Sequence, residues 1–293
     1  MRWDFPAIGT AWQVQTETAL SPDDRRAVLD LVDAFDRDWS RFREDSLVSG
    51  LARRGGSVPA PADAKAMLDL YVELADATGG AVNPLVGDAL ARRGYDAGYG
   101  FVDRGAQGAP EDWRERLTWD DTAVTLTGAA ILDVGAVGKG RLVDRVGALV
   151  AQRCGGAVVV DASGDLAVHG GPGVRGGAGG HAERVALEHP FDPRRAIGVW
   201  EVTDAALCAS ATNRRAWGDG LHHVLDARTG EPVRTIAATW AVAPEAMTAD
   251  AAATALFFDG GPEFAHRRGV QWVRMTTDGR VEWSPGCRAE LFL

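Results

Sequence analysis

The stretch HHVLDARTGEPVRTIAATWAVAPEAMTADAAATALFF, residues 222–258, shows how this chain is built. Apolar and polar residues alternate as far as Pro244, and Thr229 and Gly230 mark a turn, so this part predicts β-strands joined by a hairpin. The alanine-rich residues 246–258 then predict a helix. Strands in hairpins followed by a helix indicate an α+β fold. We therefore expect a mixed, largely antiparallel sheet that is covered by helices.

The same interleaving of strands and helices continues over the rest of the chain. Predicted helices occupy 21–42, 62–80 and 139–156, and predicted strands or hairpins occupy 11–17, 112–135, 197–211 and 269–285. Residues 156–170 are expected to form a buried strand that leads into a loop. Ser21 and Pro22 are typical of the first turn of a helix, and Gly79 and Gly80 are typical of a helix end. The glycine-rich stretch 169–181 is expected to be a mobile loop.

The composition is that of a globular protein of 293 residues, of which 46% are apolar and 25% are charged. A formal net charge of −10 disfavours a non-specific binder of nucleic acids or anionic membranes, because such partners require a basic surface. Cys154, Cys208 and Cys287 show neither a close pair nor a zinc spacing, which indicates reduced thiols. No signal-peptide core or lipoprotein cysteine is visible, so we expect a cytoplasmic protein without membrane insertion.

Two nucleotide-binding patterns fail on their context. Gly171–Gly176 spells G-x-G-x-x-G, but more glycine follows it instead of the helix that a dinucleotide fold requires. Gly138-Lys139-Gly140 resembles part of a P-loop, but Gly140 stands where Ser or Thr would bind magnesium. The sequence therefore favours neither a Rossmann fold nor a P-loop NTPase.

The segment DVGAVGKGRLVD, residues 133–144, is a better candidate for contact with an anion. It places Asp133, several glycines and Lys139 where a strand leads into a helix, and free N–H groups at such a junction attract anions. Lys139 is one of only two lysines among 31 basic residues, which makes its use here unusual. The alternative is a glycine-rich turn with a solvated lysine.

Two further segments contain residues suited to metal binding and proton transfer. Asp250 and Thr254 are four residues apart on a predicted helix, so they share one face, and their oxygens suit Mg²⁺. A histidine at the end of a strand can act as a general base. Neighbours in a strand point to opposite faces, so only His222 or His223 can face a site. The alternatives are an aspartate that stabilises the helix start and a purely structural histidine.

Eight segments together resemble, in order, the motifs of the ApbE family of FAD:protein FMN transferases. They are IGT (8–10), WSRFREDSL (39–47), GGAVNPLVG (79–87), DVGAVGKG (133–140), VVDASGDL (159–166), CASATNRR (208–215), HVLDARTGEPV (223–233) and APEAMTADAAATALF (243–257). Their shared order and spacing make a chance match improbable. The resemblance implies an ApbE/T-fold-like single domain over residues 1–293, which could consist of two subdomains that meet at the FAD and metal site.

The resemblance also implies an activity. The chain would attach FMN from FAD through a phosphoester to a Thr or Ser of an acceptor protein, with Mg²⁺ as cofactor and release of AMP. Two alternatives stay open: an FAD pyrophosphatase that gives FMN and AMP, and a flavin-binding protein without catalysis. FAD and an acceptor protein would be the partners, with no nucleic acid.

Site residues follow from the matching motif positions. Asp250 and Thr254 would hold Mg²⁺ through their side chains and Ala136 through its backbone carbonyl, and His223 would be the general base. The resemblance assigns the FAD contacts to Ile8, Phe42, Ala81, Val82, Asn83, Asp133, Lys139 and Asp165. Phe42 departs from the family pattern, because it stands where a Tyr is usual and so lacks the hydroxyl while keeping an aromatic ring.

Overall fold

The structure is a computed structural model that describes residues 1–170 and 181–292. The helices are α1 (Pro22–Trp39), α2 (Leu47–Arg54), α3 (Ala64–Ala77), α4 (Gly87–Arg92), α5 (Trp113–Arg116), α6 (Gly138–Cys154), α7 (Ala246–Ala255) and α8 (Gly261–Arg267). The mobile loop expected at 169–181 falls on residues 171–180, which lie outside the described residues. In the described part of the chain, no helix is both long and apolar enough to cross a membrane.

The remaining regular elements are β-strands. They are β1 (Arg2–Ala7), β2 (Thr10–Thr16), β3 (Gly56–Pro59), β4 (Leu117–Trp119), β5 (Ala123–Leu126), β6 (Val158–Asp161), β7 (Asp165–His169), β8 (Ala182–Glu188), β9 (Ala196–Thr203), β10 (Ala206–Ala211), β11 (Ala216–Trp217), β12 (Leu221–His222), β13 (Leu225–Asp226), β14 (Glu231–Pro232), β15 (Ile236–Ala243), β16 (Gln271–Thr276), β17 (Val281–Trp283) and β18 (Glu290–Leu291).

An eight-stranded main sheet, in the order β1-β2-β6-β7-β10-β15-β16-β17, forms the centre of the molecule. Every pair of neighbours in it is antiparallel. The prediction of a largely antiparallel sheet is therefore confirmed. The division into one domain or two subdomains stays a prediction.

Both faces of the main sheet are buried, and the strand β6 shows why its sequence is so apolar. Val158 and Val160 pack on one face, in the core formed with the helices, and Val159 packs on the other face. A small sheet in the order β18-β9-β8 covers that second face. A strand buried on both faces needs apolar residues at consecutive positions, as in the run of valines here.

Local sequence signals predict the start of α1 and the end of α3. The side chain of Ser21 accepts a hydrogen bond from the Asp24 N–H, and Asp24 bonds back to the Ser21 backbone, so α1 begins in a capping box. The N–H of Gly80 donates to the Ala75 carbonyl, and Gly80 has a φ of 86°, which ends α3 where it was predicted to end. Helices α2, α4, α5 and α8 were not predicted, and α5 occupies part of the segment 112–135 that was expected to form strands or a hairpin.

Two further predicted strand segments behave differently from expectation. Residues 156–170 were expected to be a strand that leads into a loop, but β6 turns at Ser163 and Gly164 and returns as β7. Ser163 has a φ of 57° in this turn. Residues 197–211 form two strands that belong to different sheets, because the chain leaves β9 through Asp204, with a φ of 46°, and enters the main sheet as β10.

Candidate functional site

A large cavity opens beside the ends of α1, α3 and α7 and has a volume of about 1190 Å³. We call it the central cavity. Residues predicted from the sequence to form a site line its wall: Ile8, Phe42, Ala81, Val82, Asn83, Asp133, Ala136, Lys139, His223, Asp250 and Thr254. Asp165 is the exception, because it lies behind Lys139. The fold thus brings segments from both ends of the chain into one place.

Helix α7 supplies the two residues predicted to bind metal. Asp250 and Thr254 both face the central cavity, as their spacing of four residues requires. Asp250 is only 3% exposed, and its Oδ2 accepts a hydrogen bond of 2.9 Å from the Gly140 N–H. Burial raises the pKa of Asp250, the nearby Asp165 raises it further, and Lys139 opposes the shift. A cation at this position would therefore favour the ionised carboxylate.

Asp144 of helix α6 fixes the start of α7. Its two carboxylate oxygens accept hydrogen bonds of 2.7 and 2.9 Å from the N–H groups of Ala246 and Met247. These are donors that a helix start leaves without partners inside the helix. Burial raises the pKa of Asp144 to about 6, although both hydrogen bonds work against the shift. Asp144 thereby helps to set the position of Asp250 one turn further along.

The backbone where α6 begins contributes a third oxygen. In a regular helix the Gly140 N–H would donate to the Ala136 carbonyl, but here it donates to Asp250. Within residues 1–170 and 181–292, no donor bonds to the Ala136 carbonyl. The Ala136 N–H donates to the hydroxyl of Tyr71 at 3.2 Å, which holds the turn in place. Ala136 lines the central cavity, and within these ranges its carbonyl oxygen is available to a ligand.

These three oxygens fit the donor set of Mg²⁺, which binds through carboxylate, hydroxyl and carbonyl oxygens and keeps several waters. In the described ranges no group of three His, Cys, Asp or Glu side chains could hold a metal ion. A site for a softer metal such as Zn²⁺ would need such a group. The donors of Ala136, Asp250 and Thr254 therefore favour a hard cation.

Lys139 and Asp165 form a buried ion pair next to Asp250. The Lys139 Nζ lies 3.2 Å from Asp165 Oδ2, and the two side chains are 20% and 1% exposed. Burial raises the pKa of Asp165, and the ammonium of Lys139 opposes that shift. Sequence analysis assigned both residues to FAD, but the structure places only Lys139 at the cavity wall.

Asp133 is held by a residue that sequence analysis did not select. Arg41 donates from Nε to Asp133 Oδ2 at 2.5 Å, and from Nη1 to the carbonyl of Tyr95 at 2.8 Å. The other Asp133 oxygen accepts the Gly135 N–H at 2.7 Å. The Arg41 side chain is 4% exposed and its Nη2 is buried without a hydrogen-bond partner among the described residues. Asp133 is thus rigidly oriented at the cavity wall.

The two adjacent histidines have different surroundings. His222 Nε2 bonds to the Val233 carbonyl at 2.9 Å, and its Nδ1 accepts the Val224 N–H at 3.3 Å, so both ring nitrogens serve the fold. His223 lines the central cavity, and its buried Nδ1 has no hydrogen-bond partner in the described part of the chain. Burial, followed by the charge of Arg215, lowers the pKa of His223 to about 3. His223 is therefore neutral.

Comparison with known proteins identifies the family. Residues 8–273 match the model of the ApbE family. The chain belongs to the ApbE family. A FAD:protein FMN transferase from Rhodobacter capsulatus is 29% identical, and the match covers 98% of this chain and 57% of that protein. A FAD:protein FMN transferase from Treponema pallidum is 30% identical over 75% of this chain and 67% of its own length. The chain thus spans little more than half the length of the Rhodobacter relative.

Solved ApbE structures show the same fold. The ApbE protein from Thermotoga maritima has a TM-score of 0.78 at 21% identity, and the match covers 97% of this chain and 96% of that one. The flavin transferase ApbE from Vibrio cholerae has a TM-score of 0.76 at 20% identity, with the same shares covered. The predicted ApbE-like fold is therefore confirmed.

The part of the central cavity near Phe42 is rich in aromatic rings. The Phe42 ring stacks on Tyr99 at a centroid distance of 5.2 Å and contacts Tyr95 edge-on at 5.4 Å. Tyr95 in turn stacks on Trp217 at 5.4 Å. Phe42 thus belongs to an aromatic wall, although it lacks the hydroxyl of a tyrosine.

The segment 81–83 contributes a rigid wall through its backbone. The Val82 N–H donates to Thr78 Oγ1 at 3.1 Å, and the Asn83 side chain bonds to Pro110 and Leu85. The polar atoms of Asn83 are therefore used inside the protein.

Ile8, at the β1–β2 turn, has a φ of 42°, a strained conformation for a branched residue.

Proposed function

We propose that this chain is an Mg²⁺-dependent enzyme that transfers FMN from FAD to a Thr or Ser hydroxyl of an acceptor protein and releases AMP. One observation carries the proposal. His223, whose buried Nδ1 has no hydrogen-bond partner among the described residues, lines the same cavity as Ala136, Asp250 and Thr254. Membership of the ApbE family supports it, since the curated relatives are named FAD:protein FMN transferases.

The size of the central cavity suits a large nucleotide. Pockets for drug-sized ligands measure roughly 300–1000 Å³, and this one measures about 1190 Å³. Its aromatic wall around Phe42 can stack on a flat ring system. Lys139 lies close enough to the predicted metal ligand Asp250 to oppose the rise of its pKa, and it is placed to contact phosphate. Asp133 offers a fixed carboxylate to a polar edge of the dinucleotide.

Phosphoryl transfer depends on positioning and on neutralising charge, with little covalent work for the protein. Ala136, Asp250 and Thr254 would hold Mg²⁺, which when bound neutralises charge on the pyrophosphate. Lys139 adds a positive charge beside this site. Because Asp144 and Gly140 fix α7 against α6, these ligands are held in position before substrate arrives.

His223 supplies proton transfer. The neutral imidazole accepts the proton of the acceptor hydroxyl as that oxygen forms a bond to the phosphorus of the FMN half. The bond from this phosphorus to the bridging oxygen breaks, and AMP leaves with the bridging oxygen and its electron pair. Pyrophosphate binding near His223 raises its pKa from about 3, because a negative charge stabilises the protonated ring. His223 thus becomes a stronger base when substrate is bound.

The test is to incubate the purified chain with FAD and Mg²⁺, first alone and then with the proteins of a cell extract, and to analyse the products by mass spectrometry. AMP together with a protein that carries FMN supports the proposal. AMP with free FMN in both experiments would instead identify a pyrophosphatase. Unchanged FAD with measurable binding would identify a flavin-binding protein. A parallel sample with EDTA tests the need for the metal.

A further inference from the structure

Five lysine and arginine residues line the central cavity, and all but one of them have a carboxylate partner. Arg41 pairs with Asp133, Arg43 with Asp36, Lys139 with Asp165, and Arg214 with Glu188. Arg215 forms no ion pair with any residue in the ranges 1–170 and 181–292. Its guanidinium is therefore the one cavity-lining positive charge that no neighbouring acid in these ranges neutralises.

Arg215 lies directly beside the predicted base. It precedes β11, and its carbonyl accepts a hydrogen bond of 3.2 Å from the His223 N–H. Arg215 lines the central cavity together with His223, Lys139 and Asp250. Arg215 is also exposed, and because its side chain has no partner among the described residues, its five N–H donors are available to a ligand.

We propose that Arg215 binds the pyrophosphate of FAD and stabilises the charge that develops on it during transfer. This inference rests on the proposed function. A guanidinium presents paired N–H groups that match two oxygens of a phosphate, and such charge-assisted bonds are among the strongest in proteins. The chain carries a net charge of −10, so an anionic substrate needs a local positive charge of this kind.

Binding at Arg215 also affects His223. In the free protein the positive guanidinium helps to keep the imidazole unprotonated. A phosphate held by Arg215 cancels that effect, so His223 gains affinity for a proton at the moment when the acceptor hydroxyl must lose one. Arg215 thus links the arrival of the anion to the strength of the base.

The experiment compares FAD dissociation constants of the parent with those of Arg215→Ala, Arg215→Lys and the control Arg214→Ala, with Mg²⁺ present. Arg214 is the adjacent residue and is also exposed, but it already pairs with Glu188 at 2.8 Å. We expect about a ten- to hundredfold weaker affinity for Arg215→Ala, an intermediate value for Arg215→Lys, and less than about a threefold change for Arg214→Ala. High salt should reduce the difference between the parent and Arg215→Ala.

Several results would overturn the inference. The inference is contradicted if Arg215→Ala binds FAD as tightly as the parent. It is also contradicted if Arg214→Ala loses as much FAD affinity as Arg215→Ala, or if Arg215→Lys binds FAD as weakly as Arg215→Ala. Melting temperatures within a few degrees of the parent show that the variants are folded. Retained FAD affinity with loss of transfer alone would overturn the proposed binding of the pyrophosphate by Arg215 and limit its role to the transfer step. If the parent itself neither binds FAD nor releases AMP, the proposed function is wrong. This result differs from those that contradict the role of Arg215 alone.

Discussion

The Asp250 carboxylate accepts a hydrogen bond of 2.9 Å from the Gly140 N–H, and this bond joins helices α6 and α7 at the wall of the central cavity. A Cβ atom on residue 140 would lie 2.3 Å from the Ala246 carbonyl oxygen and 2.8 Å from Asp250 Cβ. The contact between the two helices therefore requires glycine, and the position of the predicted metal ligand depends on it.

Gly140→Ala should destabilise the protein by about 1–3 kcal/mol, because the added methyl group meets backbone atoms that cannot move separately from α7. The control is Gly50→Ala in helix α2, where the nearest atom to the new Cβ is Arg54 Nη2 at 3.9 Å. That change should be neutral or stabilise by roughly 0.5–1 kcal/mol. Urea denaturation of both variants measures the difference, and equal stabilities would show that α6 and α7 can separate without cost.

Asp250→Asn should abolish Mg²⁺-dependent turnover and leave the protein folded. The amide still offers an oxygen to the Gly140 N–H but lacks the charge that binds the cation. Burial of a carboxylate costs free energy, so the melting temperature of the variant should equal or exceed that of the parent without metal. Turnover that stays at the parental level when Mg²⁺ is limiting would remove Asp250 from the metal site.

Asp144→Asn should change the dependence of stability on pH. The pKa of Asp144 is about 6 in the folded protein and 3.8 as its ordinary value, so between these pH values the folded state holds a proton that the unfolded state has lost. The contribution of Asp144 to the free energy of unfolding therefore falls by about 3 kcal/mol as the pH rises from about 4 to 6. Denaturation of parent and variant over this range measures the difference, and parallel curves would contradict the shift.

His223→Ala should slow transfer about 10²–10⁴-fold and leave FAD affinity nearly unchanged, because a general base acts in the chemical step. His222→Ala should instead lose stability and retain the rate, since both nitrogens of His222 are bonded within the fold. A transfer assay from pH 5 to 9 compares them. In the free protein the low pKa of His223 keeps the ring neutral across this range. If His222→Ala were the slow variant instead, the base would be His222 and the assignment to His223 would be wrong.

Lys139→Met should weaken FAD affinity by about 1–3 kcal/mol and also destabilise the fold by roughly 3 kcal/mol at pH 8, because Asp165 is left buried without its partner. The double variant with Asp165→Asn should recover most of the stability but not the FAD affinity. Denaturation and binding measured on the two variants separate these roles. Parental affinity in the double variant would show that Lys139 serves only the buried pair.

Sequence patterns predicted the fold best where the signal is local. The helix start at Ser21, the glycines after α3 and the alternation of β16 and β17 depend on neighbouring residues, and the structure confirms each. The separation of β9 from β10 was not predictable, because both strands alternate alike and only tertiary packing assigns them to different sheets. The same limit explains why the turn at Ser163 was interpreted as a loop.

The candidate site shows a similar division. Lys139 was noticed because lysine is rare in this chain, but Arg41 and Arg215 were not, because 29 of the 31 basic residues are arginine. An arginine that binds a ligand cannot be told by composition from one on the surface. The distinction lies in what surrounds each guanidinium: buried contacts for Arg41, and no carboxylate among the described residues for Arg215.

In the main sheet, strands lie side by side in the order in which they occur along the chain, from Arg2–Ala7 at one edge to Val281–Trp283 at the other. A chain that leaves the ribosome with its N-terminus first can therefore extend this sheet one strand at a time, because each new strand finds its neighbour already made. The central cavity is completed later, since Ile8 is synthesised well before Thr254. Six of the eight strands precede α7, so the nascent protein builds most of its scaffold before it can enclose a nucleotide.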